Sequence, residues 1–259
     1  MKSNFILSVL LLLGAVFSLH AQDANAIVKA SRNRIKADTV STRSRMVIQA
    51  KDGTTTERLI DNYSKDGPNG ARSVIVFQQP ASVAGSRFLT IENKNAPDDR
   101  WIFMPNIGKI RRIAASGGSE SFMGTDFSFD DISSTSRNAD LDTHTLLKEE
   151  NLGITSCYVI QSVPKDGAFQ YSKMVQWIAK DTSIVMKIEL YDKRNTLIKT
   201  VEMSGIKTIQ DKPTVTVTKM TTHAAGTSTT ITNEIVKYND PIPEGIFTTS
   251  YLETGKVSR

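Results

Sequence analysis

From Ser44 to Tyr238 the chain keeps returning to a period of two, and that alternation limits its fold more than any other feature. Met46, Ile48 and Ala50 alternate with other neighbours, Lys51-Asp52-Gly53 turns the chain, and the segment from Thr54 resumes the rhythm, which reads as a hairpin. Runs rich in Val, Ile, Thr and Tyr follow at 72–78, 87–92, 101–104, 109–113, 157–163, 171–179, 183–191, 197–203, 213–222 and 228–238. Turn chemistry separates them, as at Pro164-Lys165-Asp166-Gly167 and Asp192-Lys193-Arg194-Asn195. Connections this short leave no room for crossover helices, which excludes a parallel α/β sheet. The expectation is a mainly β (α+β) chain of about eleven antiparallel strands, a sheet large enough to curl or close.

Three segments break the rhythm. Residues 1–21 carry Lys2, an apolar run from Phe5 to Phe17 and Leu19-His20-Ala21 before Gln22, the pattern of a cleaved signal peptide. That run is too short to span a bilayer, and the lone cysteine, Cys157, is far from the cleavage point, so a released rather than lipid-anchored protein is expected. Residues 23–37 space Ala24, Ile27, Ala30, Ser31, Arg34 and Ile35 as an amphipathic helix. Residues 114–140 are rich in Ser, Gly and Asp yet carry Phe122, Met123, Phe127 and Phe129, which predicts an ordered flap laid on the sheet. No Pro-, Gly- or Ser-rich linker divides the rest, so 22–259 reads as one domain.

Chemistry is sparse. Removing the leader takes Lys2 from the 32 basic residues and none of the 27 acidic ones, and the formal charge of +4 that remains is too mild to imply nucleic acid. His144 and His223 lie at no metal-ligand spacing with each other or with Cys157, and Asp126, Asp130 and Asp131 lack a calcium-loop pattern, so no metal is expected. Ser119 sits in Gly117-Gly118-Ser119-Glu120-Ser121 without the closing glycine of a nucleophile elbow, and no phosphate-binding glycine motif occurs. The chain is therefore expected to be no enzyme and to need no cofactor. Its surplus is apolar: Trp101, Phe103, Met104 and the flap residues crowd between 101 and 129.

The run Arg100-Trp101-Ile102-Phe103-Met104-Pro105-Asn106-Ile107-Gly108-Lys109-Ile110-Arg111-Arg112-Ile113, followed by Ser121-Phe122-Met123-Gly124-Thr125-Asp126-Phe127, resembles the outer-membrane lipoprotein-sorting family related to LolA. Both halves match with the right separation, and Cys157 to Ile160, Tyr171, Lys173, Trp177 and Lys187-x-Glu189-x-Tyr191-Asp192 extend the likeness over about residues 25–250. The resemblance implies an incomplete antiparallel barrel with covering helices, whose concave apolar face receives acyl chains of lipoproteins or lipids in the periplasm. It also implies an inner-membrane transporter as donor and an outer-membrane acceptor as partners. On that reading Met46, Ile48, Val74, Val76, Trp101 and Phe103 form the cavity wall, with Ile102 and Met104 as the opposite-parity choice. Phe122, Met123, Phe127 and Phe129 form the flap, and Lys109, Arg111 and Arg112 hold it through Asp126, Asp130 or Asp131 or meet an acidic partner. Two other readings share these residues: a binding module for another apolar ligand that serves an exporter, and an interaction protein whose curved sheet is filled by its own side chains.

Overall fold

The computed structural model describes residues 23–93, 96–133 and 138–257; the expected signal peptide, 1–21, lies outside them. The helix α1 (Ala24–Arg32) starts where the Asp23 carboxylate accepts the Asn25 N–H, and it buries Ala24, Ile27, Val28 and Ser31. It is shorter than the expected 23–37 because it closes at Asn33, a poor helix former, and the next turn is given over to a bond from the Arg34 guanidinium to the Pro213 carbonyl.

Six strands then run as a meander: β1 (Thr39–Gln49), β2 (Thr55–Lys65), β3 (Arg72–Gln79), β4 (Arg87–Ile91), β5 (Asp99–Met104) and β6 (Lys109–Arg112). After the short α2 (Phe129–Ser133) a second meander follows: β7 (Asp142–Leu152), β8 (Thr155–Pro164), β9 (Lys173–Ala179), β10 (Val185–Tyr191) and β11 (Leu197–Ser204). A small hairpin, β12 (Lys207–Ile209) and β13 (Lys212–Thr214), precedes β14 (Val217–Thr222) and β15 (Thr227–Tyr238), and the chain ends in α3 (Thr249–Thr254).

Thirteen of these strands form one curved antiparallel sheet in the order β6-β5-β4-β3-β2-β1-β15-β14-β11-β10-β9-β8-β7, and the other two pair with each other. The sheet has thirteen strands where about eleven were expected; β7 was not foreseen, and of the expected run 213–222 only β14 joins the sheet, β13 pairing with β12 instead. The barrel is incomplete, since β6 and β7 are the two edges and do not pair.

That strand order dictates what the flap must do. The chain leaves the sheet at β6, one edge, and re-enters at β7, the other; between them residues 113–133 and 138–141 are described, and residues 134–137 of the expected flap lie outside the described residues. The described part of the flap lies on the concave face. There Phe122 and Phe129 cover β1 to β5, packed with Met46, Ile60, Ile75, Phe77, Phe88 and Ile102, while α1 covers the far side through Ile160 and Ile178. The convex face of β3 to β5 is closed separately by Ile246, Phe247 and Leu252 from the C-terminal segment. No helix among the described residues is long and apolar enough to cross a membrane.

Candidate functional site

Between the flap and α1 the concave face stays open as a cavity of about 370 Å³. Its floor is a patch of register partners. Ile188 faces both Gln176 and Val201, Leu190 faces Met174, Val201 faces Met220, and Met203 faces Thr218. All hold one parity on β9, β10, β11 and β14, so period two alone aims them at the same space. The cover comes from Val28 to Ile35 of α1 and its extension, from Phe127 and Asp131 of the flap, and from Phe169 and Tyr171.

The flap is a small hairpin with its own chemistry. Phe122 N–H donates to the Phe127 carbonyl, and the turn between them places Met123 and Gly124 at φ 52° and 74°, the left-handed pair that a type I′ turn demands. Ser128 and Asp131 cap α2 reciprocally, each side chain accepting the other's backbone N–H at 3.0 and 2.8 Å.

Side chains from distant strands then pin this hairpin down. Asp126 accepts from the Thr227 and Thr229 hydroxyls of β15, Asp130 from Arg100 of β5 at 2.6 Å, and Asp131 from Lys199 of β11 at 3.0 Å and the Tyr171 hydroxyl at 2.7 Å. Arg58 of β2 donates to the Met123 carbonyl at 2.7 Å. Burial beside Asp131 raises the Tyr171 phenol above its ordinary pKa and keeps it a donor. The Arg100–Asp130 and Lys199–Asp131 pairs are at most 14% exposed, so water screens them little. The flap is thus tied to both halves of the sheet across the cavity. Gly118 belongs to this latch: a Cβ there would stand 2.2 Å from the Asp130 carboxylate. Gly118→Ala should push Asp130 off Arg100 and cost about 1–3 kcal/mol in chemical denaturation.

Several expected site residues lie elsewhere. Val74, Trp101 and Phe103 point to the convex face, against the C-terminal segment, and Val76 shares their parity on β3; Ile102 and Met104 are the pair that meets the flap. The two parities could not be told apart because both faces of β5 are covered. Met46 and Ile48 are concave but lie against the phenylalanine cluster rather than the open cavity. Phe122, Met123 and Phe129 belong to that cluster too, and Phe127 alone of the expected residues lines the cavity.

The expectation that Lys109, Arg111 and Arg112 hold the flap through Asp126, Asp130 or Asp131 is also corrected. Arg112 pairs with Asp99, Lys109 has no ion-pair partner among the described residues, and Arg111 approaches only Glu120 at 3.8 Å, both being more than half exposed. The strand β6 turns these residues to solvent at the sheet edge, whereas Arg100 and Lys199 rise from within the concave face.

A hydroxyl–imidazole pair exists but is sealed. His144 Nε2 donates to the Ala139 carbonyl at 2.9 Å, so its Nδ1 accepts from Ser162 at 2.8 Å, while Ser162 Oγ accepts from Gln176. Ser162 is 0% exposed, so a substrate carbonyl has no approach to its oxygen. Cys157 is equally buried, and burial pushes its thiol up, away from the thiolate a nucleophile needs. A more open groove of about 590 Å³ lies on the convex face near Tyr63 and Tyr251, but Arg43, Asp61, Lys237 and Asp240 among its walls make it a poor shelter for hydrocarbon.

Comparison with known proteins agrees with this fold. A family described as "uncharacterized protein" has a model that matches residues 69–254. Among solved structures the chain is similar to a domain assigned to outer-membrane lipoprotein sorting from Vibrio parahaemolyticus, at 24% identity and a TM-score of 0.84, covering 89% of this chain and 98% of that one. It is similar to a DUF1329 family protein from Desulfovibrio piger at 29% identity and a TM-score of 0.83, over 88% and 97% of the two chains. A LolA superfamily protein from Nitrosomonas europaea aligns at 21% identity and a TM-score of 0.70, over 88% and 98%. No curated protein sequence matches the chain. The chain therefore belongs to the uncharacterized protein family whose model spans residues 69–254, and its fold is that of the outer-membrane lipoprotein-sorting, LolA-type proteins.

Proposed function

We propose that this protein is a periplasmic carrier, exported through residues 1–21, that shelters acyl chains of lipoproteins or lipids on its concave face for delivery to the outer membrane. The observation that carries the reading is the cavity itself, with an apolar floor built from register partners and a cover of three separate segments. Its volume of about 370 Å³ falls within the range of about 300–1,000 Å³ that small-molecule sites occupy. An acyl chain of about 16 carbons costs on the order of 12 kcal/mol to leave in water, so transit across an aqueous compartment needs such a shelter. A longer cargo takes the place of Phe122 and Phe129, which occupy the adjoining concave face, once the flap lifts. Release follows when an acceptor holds the lipid more strongly than the cavity does.

The test is native mass spectrometry of the mature protein prepared without detergent, together with uptake of a fluorescent fatty acid. A co-purifying triacylated peptide supports lipoprotein cargo, and a free lipid supports a general lipid carrier. Val201→Trp, which fills the floor, should weaken uptake at least about tenfold, the equivalent of roughly 1.4 kcal/mol. An empty protein that takes up no probe would overturn the reading in favour of a filled-core interaction protein.

A further inference from the structure

The cavity is apolar but not electrically neutral. Three charged side chains line it: Asp131, Arg32 and Arg34. Asp131 is already satisfied, since it accepts from Lys199 at 3.0 Å, the Tyr171 hydroxyl at 2.7 Å, Gln170 at 3.3 Å and the Ser128 N–H at 2.8 Å. Arg34 is not neutralised in the same way. Arg32 sits in the last turn of α1, where the helix dipole gives a cation a reason to be.

Arg34 has no such reason. It lies beyond the helix, is partly buried, and its one hydrogen bond among the described residues goes to the uncharged Pro213 carbonyl, at 2.6 Å. No carboxylate among the described residues lies within ion-pair distance of it, and burial lowers its pKa. A guanidinium offers five N–H donors in a planar fork suited to carboxylate and phosphate oxygens. Placed beside Val28, Ile35 and Met203 with most of that fork unused, it is a costly residue for a purely hydrocarbon site and an apt one for an anion.

We propose that Arg34 selects acyl chains that carry an anionic head group, a carboxylate or a phosphate, over neutral acyl esters. The inference rests on the carrier reading and narrows its cargo. The hydrocarbon lies on the floor of β9, β10, β11 and β14, and the head group meets the segment between α1 and the β12–β13 hairpin. A fatty acid and a phospholipid both have this chemistry.

The experiment compares two probes of equal hydrocarbon content, cis-parinaric acid and its methyl ester, on the full mature chain at neutral pH and low salt. The acid should bind about tenfold or more tightly than the ester, the scale of a charge-assisted hydrogen bond in a sheltered site. Arg34→Gln should remove most of that preference while leaving ester affinity within about twofold. The ester also reports folding: a variant that still binds it has kept the cavity. Competition by lysophosphatidate and by dodecanoate then distinguishes a phosphate from a carboxylate head group, and displacement of the acid by either supports the proposal.

Equal binding of acid and ester, or equal loss of both in Arg34→Gln, would overturn the head-group inference and leave the carrier reading standing. Failure of both probes to bind would bring down the two together.

Discussion

Replacing Phe122 by alanine should lower the stability of the protein by about 3–5 kcal/mol, the range for truncating a fully buried aromatic side chain. Phe122 is 0% exposed, and its ring centre lies 5.2 Å from that of Phe88, 5.6 Å from Phe129 and 5.9 Å from Phe77. The Phe88 and Phe129 contacts are edge-on, the arrangement that the ring quadrupoles prefer. The loss has two parts: the transfer energy of the phenyl ring and the void left above Met46, Phe77 and Phe88, which strand pairing prevents from collapsing. Chemical denaturation monitored by tryptophan fluorescence would give the value. A loss below about 1 kcal/mol would mean that the flap does not rest on β1 to β5, and the topological argument for its crossing would fail with it. If the flap is also the lid, the same variant should take up an acyl probe faster, because it weakens only the closed state.

Much of the architecture was legible because alternation is a local property. The curved antiparallel sheet, the turn at Lys51-Asp52-Gly53 and the ordered flap all follow from residues close in sequence. What escaped was set by distant partners. The strand β7 carries Leu146-Leu147-Lys148-Glu149-Glu150, good helix-forming chemistry, and is a strand because an edge needs little burial and β8 templates it.

The parity of β5 was lost for a different reason. Trp101, Ile102, Phe103 and Met104 are all apolar because α3 and its approach cover one face and the flap the other, so period two carried no information there. The richest apolar stretch therefore marked the most filled part of the sheet and drew attention away from the cavity. The cavity strands had the cleaner signal: Ile188 and Leu190 alternate with Lys187, Glu189 and Tyr191, and Val201 and Met203 with Thr200, Glu202 and Ser204. One apolar face beside one polar face is what a lined, one-sided site looks like in sequence.

The flap anchors left a signal of their own. Arg58, Arg100 and Lys199 each hold the parity of the apolar concave residues two positions on, Ile60, Ile102 and Val201. A cation at an apolar position has to meet a buried acceptor, and here all three meet the flap. The basic run Lys109 to Arg112 was more conspicuous but sits on an exposed edge, where a charge needs no partner.

The same logic makes the Lys199–Asp131 pair the most informative place to cut the latch. Lys199 is 14% exposed and Asp131 7%, so Lys199 depends on that carboxylate for what it lost from water. Asp131→Asn keeps the shape but leaves Lys199 a buried cation and the Tyr171 hydroxyl without its carboxylate acceptor, and should cost about 3 kcal/mol. Lys199→Met should also destabilise, since it takes from the buried Asp131 carboxylate the cation at 3.0 Å. The double variant should be more stable than the sum of the two losses predicts, because removing both charges also removes the desolvation that each imposes. Denaturation of the four proteins closes the cycle. Additive losses would show that the two groups do not sense each other and that this pair does not fasten the flap to β11. A coupling of about 1 kcal/mol or more would show that electrostatics fasten the flap to β11. The Asp131→Asn protein should then be the one whose flap lifts most readily, with acyl uptake accelerated although the floor of the cavity is untouched.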